Sequence, residues 1–244
     1  MSKIDVHGHL GVWNFPIPGG TAANLVRLCR RHDIAKVAVS SVLALCYDMA
    51  AGNSEVAQAV SGHEELLGYV YCNPRYLPES VAEMDRYLPT DGFVGVKIHA
   101  NYSATTNGDQ RMQDLMAEVA QRARVVKIHG DGPDAIGWMG RYAERHPDLA
   151  IIMAHAYGGS YLEAAAMAAR YPNLYVEFCS SWAGAGKVRH ALDLCGPRQV
   201  LFGTDMDLID PTFVLGSYEE ATMTEAEQQA VYWDNPVRVL GLPR

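Results

Sequence analysis

Asp5, His7 and His9 occupy alternate positions of the segment Ile4-Asp5-Val6-His7-Gly8-His9-Leu10. Successive side chains of an extended chain point to opposite faces, so these three share one face while Ile4, Val6 and Leu10 take the other. Two imidazoles two residues apart on one strand face can bind the same ion, and first-row metals suit imidazole. The bland alternative is a chance His-x-His pair on a half-buried strand. Further single candidates at later strand ends decide between the two.

Those ends follow from the elements that must carry them. Apolar, β-branched segments recur at Ile4 to Leu10, Lys36 to Val42, Leu66 to Asn73, Phe93 to His99, Val125 to His129, Ala150 to His155, Leu174 to Cys179 and Val200 to Asp205. Segments that are continuously apolar are the kind buried on both faces of a parallel sheet. Helical patterns lie between them: Thr21 to about His32, Asn53 to Gly62, Pro78 to about Leu88, Pro133 to about Arg145, Ser160 to Arg170, and one ending near Leu194. The clearest is the stripe Met112, Leu115, Met116, Val119, Ala120 and Ala123, which repeats with the helical period. Thr224 with Glu227 three residues on is a capping-box signature for a last helix. Eight strand–helix units in 244 residues predict an α/β fold, a (β/α)8 barrel, formed as one domain over residues 1–244. A doubly wound open sheet competes, but the first strand-to-helix turn is long and lacks a G-x-G-x-x-G loop.

In such barrels the chemistry sits at the carboxyl ends of the strands. The residues there are His7 and His9, Lys97 and His99, Lys127 and His129, His155, and Asp205. Five of nine histidines therefore cluster at strand ends, which packing alone does not explain. His32, His63, His146 and His190 fall on helices or loops, as solvated surface residues do. His129 reads as a third metal ligand, or as a cap on the barrel mouth. His155 follows a wholly apolar strand and precedes Gly158-Gly159, which leaves room for a substrate; it is a catalytic group, a ligand, or a satisfied core histidine. Asp205 ends an apolar strand, where a carboxylate is costly to bury without a cation, and a metal supplies one. His99 either lines the pocket or makes a structural hydrogen bond. Lys97 pairs internally with Asp5 or Glu177, or is carboxylated to bridge two metals; the ion pair is favoured.

The remaining composition removes whole classes of function. A net charge of −8 without a Lys/Arg-rich run argues against nucleic acid as partner. No apolar run approaches the roughly 20 residues of a membrane helix. The chain begins with a strand bearing an acid and two histidines, unlike a signal peptide. Cys29, Cys46, Cys72, Cys179 and Cys195 form no Cys-x-x-Cys pair and are odd in number, as expected of reduced thiols in a cytoplasmic protein. The expected partner is a small-molecule substrate, and a homo-oligomer is compatible with the sequence.

Taken together, Asp-x-His-x-His on the first strand, a His closing the fifth, His155 with Gly158-Gly159 after the sixth, and Gly203-Thr204-Asp205 on the eighth resemble the amidohydrolase superfamily. The likeness is to its amidohydrolase-2 branch, which also holds aminocarboxymuconate-semialdehyde and resorcylate decarboxylases. It runs to the closing segment Asn235 to Leu242. Three departures are visible: the chain is short for the branch, so its substrate loops are trimmed; the strand-six motif is one residue longer; and Asp205-Met206-Asp207 stands where the branch often has a proline. The resemblance implies His7, His9, His129 and Asp205 as metal ligands, with His155 as an acid/base or second ligand. The expected cofactor is one divalent metal, Zn2+ before Mn2+.

A divalent metal held by neutral imidazoles and one carboxylate lowers the pKa of a bound water to about 7. Asp205 could take that water's proton, and His155 could protonate the leaving group or hold the oxyanion. The expected reaction is hydrolysis of a small amide, lactone or ester. The first alternative is a lyase that removes CO2 from a small carboxylic acid, with Arg75 as the best-placed cation for the substrate carboxylate. A TatD-like nuclease would need a Glu near strand four, where Lys97 stands. A barrel that binds metal without turnover is the alternative outside the enzymes.

Overall fold

A computed structural model describes residues 1–17, 19–179 and 184–243. Eight parallel strands follow one another around a single sheet in the order β1 to β8. They are β1 (Lys3–Leu10), β2 (Ile34–Ser41), β3 (Leu66–Tyr71), β4 (Phe93–His99), β5 (Val125–His129), β6 (Ala150–Met153), β7 (Leu174–Glu177) and β8 (Val200–Leu201). The sheet closes on itself where β8 and its continuation run along β1. Val6 N–H donates to the Phe202 carbonyl at 2.9 Å, Asp205 N–H to that of His7 at 2.8 Å, and His9 N–H to that of Met206 at 2.6 Å. Gly8 sits at this seam, where a Cβ would lie 2.7 Å from Val37 Cγ2 and 3.1 Å from the Met206 carbonyl. A side chain there would wedge the closing strands apart.

The helices lie outside the barrel: α1 (Ala22–Arg31), α2 (Val42–Cys46), α3 (Met49–Gly62), α4 (Leu77–Tyr87), α5 (Gln110–Arg122), α6 (Gly132–Arg145), α7 (Tyr161–Ala168), α8 (Lys187–Cys195), α9 (Pro211–Glu220), α10 (Glu225–Gln229) and α11 (Asn235–Leu240). Thr21 caps α1 by accepting from Asn24 N–H at 3.1 Å, as its side chain is suited to do. The stripe of α5 faces inward, with Met112, Leu115, Met116 and Val119 all buried. The capping box forms, with Thr224 and Glu227 each accepting from the other's backbone N–H.

The structure differs from expectation mainly at the carboxyl ends of the late strands. β6 stops at Met153 because His155, Ala156 and Tyr157 take left-handed backbone angles. β7 stops at Glu177, and regular pairing of β8 stops at Leu201, with Asp205 at φ 62° turning the chain inward. Left-handed residues other than glycine cost roughly 1 kcal/mol or more each, and such turns cluster where side chains must be aimed. Three elements went unanticipated: α2, α9, and the continuation of the last helix through a wider turn at Ala230–Asp234 into α11. The helix expected to end near Leu194 is α8, which ends at Cys195.

Candidate active site

The first strand brings His7 and His9 to the mouth of the barrel, and the left-handed turn at Asp205 brings the carboxylate to them. His9 Nε2 lies 3.0 Å and His7 Nε2 3.5 Å from Asp205 Oδ1. All three side chains are buried, and one ligand atom from each falls within 4.8 Å of the others. Asp205 Oδ1 accepts no well-directed hydrogen bond despite that proximity. Buried polar atoms are nearly always satisfied, so an oxygen facing two imidazole nitrogens without bonding either calls for a shared cation. Bond lengths of about 2.0–2.2 Å from an ion to imidazole N and carboxylate O fit a triangle of this size. The donor set therefore fits a divalent first-row metal.

The electrostatics agree with that chemistry. Burial, reinforced by the charges of Lys127 and Lys97, holds His7 well below its usual range. Burial lowers His9 to about 4 against the opposing pull of Asp205. Both imidazoles are thus neutral near pH 7, the form that ligates metal. Burial alone would raise Asp205, but the adjoining His9, then His155 and Lys97, bring it down to about 2.

Behind these groups stands a second layer. Asp5 accepts from His7 N–H at 2.8 Å and from Thr204 N–H at 3.1 Å, and also takes the Thr204 hydroxyl. That clamp ties β1 to the residue just before Asp205. His7 Nδ1 contacts Glu177 Oε1 at 2.6 Å, and Cys179 Sγ lies 3.1 Å from the same nitrogen. The His155 ring donates from Nδ1 to the Cys179 carbonyl, because a carbonyl oxygen only accepts. Its Nε2 is left as the nitrogen able to exchange a proton with a substrate.

A cavity of about 630 Å3 opens over the cluster. His9, Asp205, Lys97 and His155 line its floor, and Trp13, Phe15, Tyr102 and the stacked rings of His99 and His129 line its walls. The His99 and His129 rings lie 3.8 Å apart and 12° from parallel. His99 both lines the cavity and accepts from Tyr102 N–H at 3.4 Å. Trp13 meets His9 edge-on at 5.0 Å and stacks on Phe15.

The structure places several of the expected residues apart from this group. His129 is not part of the compact group of His7, His9 and Asp205; it lies at the cavity wall against His99, its Nε2 3.9 Å from Asp131. Arg75 is exposed and lies in a separate groove with Tyr76 and Glu79, outside the cavity it was expected to serve. Lys97 pairs with neither Asp5 nor Glu177: its Nζ lies 3.3 Å from His7 Nε2, because Thr204 and backbone N–H groups already occupy Asp5. No sequence pattern singles out Cys179, and Glu177 is expected only as a partner for Lys97. Glu177 ends the apolar run Leu174-Tyr175-Val176 just as Asp205 ends its own, a signal that marked it for the same scrutiny. Trp13, Tyr102 and Asp131 sit in loops with no periodic pattern to point inward.

The family model described as Amidohydrolase matches residues 4–242. No curated protein matches the chain. Among solved structures, a 2,6-dihydroxybenzoate decarboxylase from Rhizobium is 14% identical with a TM-score of 0.78, the match covering 99% of each chain. A candidate 2-pyrone-4,6-dicarboxylic acid hydrolase from Pseudomonas putida is 15% identical with a TM-score of 0.77, over 100% of this chain and 98% of its own. A dihydroxybenzoic acid decarboxylase from Polaromonas sp. JS666, with bound manganese and 2-nitroresorcinol, is 17% identical with a TM-score of 0.75, over 100% and 98%. At these identities the likeness establishes the fold.

Proposed function

The chain belongs to the amidohydrolase family, and on that premise we propose that it is a metal-dependent hydrolase of a small amide, lactone or ester. The observation that carries the reading is the unsatisfied Asp205 Oδ1 facing His7 Nε2 and His9 Nε2 on the cavity floor. A divalent metal, Zn2+ by preference and Mn2+ as the alternative, would be held by these three residues and would supply Lewis acidity toward the substrate's carbonyl oxygen and toward water. His129, at the wall, joins the ligand set only if its side chain moves inward.

The chain's own groups do the rest. Asp205, held as the anion, accepts the proton of the attacking water. His155 presents Nε2 toward the cavity and delivers a proton to the leaving nitrogen or oxygen. Trp13, Phe15, Tyr102 and the His99–His129 stack exclude water and hold a flat acyl group in place. The cavity volume suits a molecule of metabolite size.

Decarboxylation of a small aromatic acid is the second reading, favoured by the same aromatic walls. It requires a cation for the substrate carboxylate, and with Arg75 in another groove Lys97 is the only Lys or Arg among the described residues that line the cavity. The deciding experiment is metal reconstitution followed by a panel of small amides, lactones, esters and aromatic acids with product detection. Acid release that depends on metal supports the hydrolase; CO2 release from an aromatic acid replaces it with the lyase.

A further inference from the structure

Glu177 is buried and carries three N–H contacts at once. Its Oε1 lies 2.6 Å from His7 Nδ1 and accepts from His155 N–H at 3.0 Å, while Oε2 accepts from Cys179 N–H at 2.8 Å. A carboxylate has no proton to give, so the His7 contact places a proton on Nδ1 and leaves Nε2 with its lone pair. The other side of the ring agrees: Lys97 Nζ, a donor, lies 3.3 Å from His7 Nε2. The same carboxylate also grips the first residue of the left-handed turn that aims His155.

The backbone around the pair is cut to admit it. Gly203 of the β8 continuation lies so close that a Cβ would stand 3.0 Å from Glu177 Oε2 and 3.1 Å from His7 Cβ. The glycine has no positive φ to explain it. Its use is the space it leaves for the carboxylate and the imidazole.

We propose that Glu177 is a positioning residue that fixes the His7 tautomer with Nε2 unprotonated and toward Asp205, and that couples this ligand to the His155 turn. The metal-affinity part of the proposal rests on the reading above; the tautomer part does not. An outer carboxylate of this kind orients a ligating histidine and raises its basicity, and its loss typically weakens metal binding 10–100-fold. Glu177→Gln leaves one acceptor oxygen for three N–H groups, so at least one donor must face an amide NH2.

The test has two arms. First, 15N NMR of the histidine rings in metal-free wild type should show His7 protonated on Nδ1. Second, Zn2+ titration against a competing chelator should give Glu177→Gln an affinity 10–100-fold below wild type. Gly203→Ala keeps the carboxylate but crowds it, and should weaken Zn2+ binding to a smaller degree; it serves as the test variant if Glu177→Gln does not fold. A purely structural Glu177 would lower the melting temperature and leave tautomer and affinity unmoved. His7 protonated on Nε2, or wild-type Zn2+ affinity in the folded variant, overturns the assignment. If wild type binds no Zn2+, the metal reading fails and the tautomer alone decides the role of Glu177.

Discussion

The Oδ1 oxygen of Asp205 lies 3.0 Å from Nε2 of His9 yet accepts no well-directed hydrogen bond from it. A buried acceptor left unsatisfied costs about 1–3 kcal/mol, and here a cation would recover that loss. Metal should therefore stabilise the fold. At a free metal concentration of about 100 times Kd, linkage gives about 2.7 kcal/mol, read as a higher melting temperature. Asp205→Asn should lose most of that increment. An equal metal-induced shift in the variant would remove Asp205 from the ligand set.

His155 makes a kinetic prediction. An attacking water must lose a proton and an acid must hold one, so the rate should rise and then fall with pH, with limbs that belong to the coupled site. In His155→Ala the alkaline limb should vanish and kcat should fall about a hundredfold or more. Metal content should hold steady. A pH–rate profile paired with metal analysis checks both, and an unchanged rate at every pH would take His155 out of the mechanism.

Lys97 makes a prediction about stability. Burial lowers this lysine to about 8, below its ordinary 10.5. Between those values the unfolded chain holds a proton that the folded chain does not, so raising the pH favours folding. Unfolding free energy of metal-free wild type, relative to Lys97→Met, should climb from pH 8 toward 10.5, by at most about 3 kcal/mol. The variant should still bind one metal per chain. A flat difference, or a stoichiometry near two in wild type, would contradict this account of Lys97.

Glu227 behaves in the opposite sense at acid pH. Hydrogen bonds from Arg189 and the Thr224 cap hold its carboxyl down at about 2, from an ordinary 4.5. Its contribution is complete above pH 4.5 and is lost as the pH falls toward 2. Glu227→Gln should cost about 1 kcal/mol at neutral pH, and its deficit should shrink as both proteins are acidified. Denaturant unfolding at a series of pH values reads this directly; a deficit that grows toward pH 2 would show that the carboxylate is not the stabilising group.

The fold was legible because parallel strands buried on both faces leave apolar runs that stand out by composition. Phe93–His99 and Val125–His129 fall where expected. His7, His9 and Asp205 were legible for a related reason: a polar residue ending such a run has few uses other than chemistry. Beyond the ends the signal failed. His155 and Asp205 are aimed by left-handed turns that apolar patterning does not encode. Arg75 looked well placed only because sequence proximity to a strand end says nothing about which groove its side chain enters. Asp5 occupied by Thr204, and Lys97 turned to His7, are choices among buried partners that only three-dimensional packing makes.

The most direct measurement is the metal content of the purified protein beside that of the variant carrying His7→Ala and His9→Ala. The two rings share one strand face, meet Asp205 Oδ1 at 3.5 and 3.0 Å, and are both held neutral by burial. Wild type should carry one divalent ion per chain and the double variant, still folded, should carry almost none. Metal retained undiminished in that variant would contradict the site on which the proposed chemistry stands.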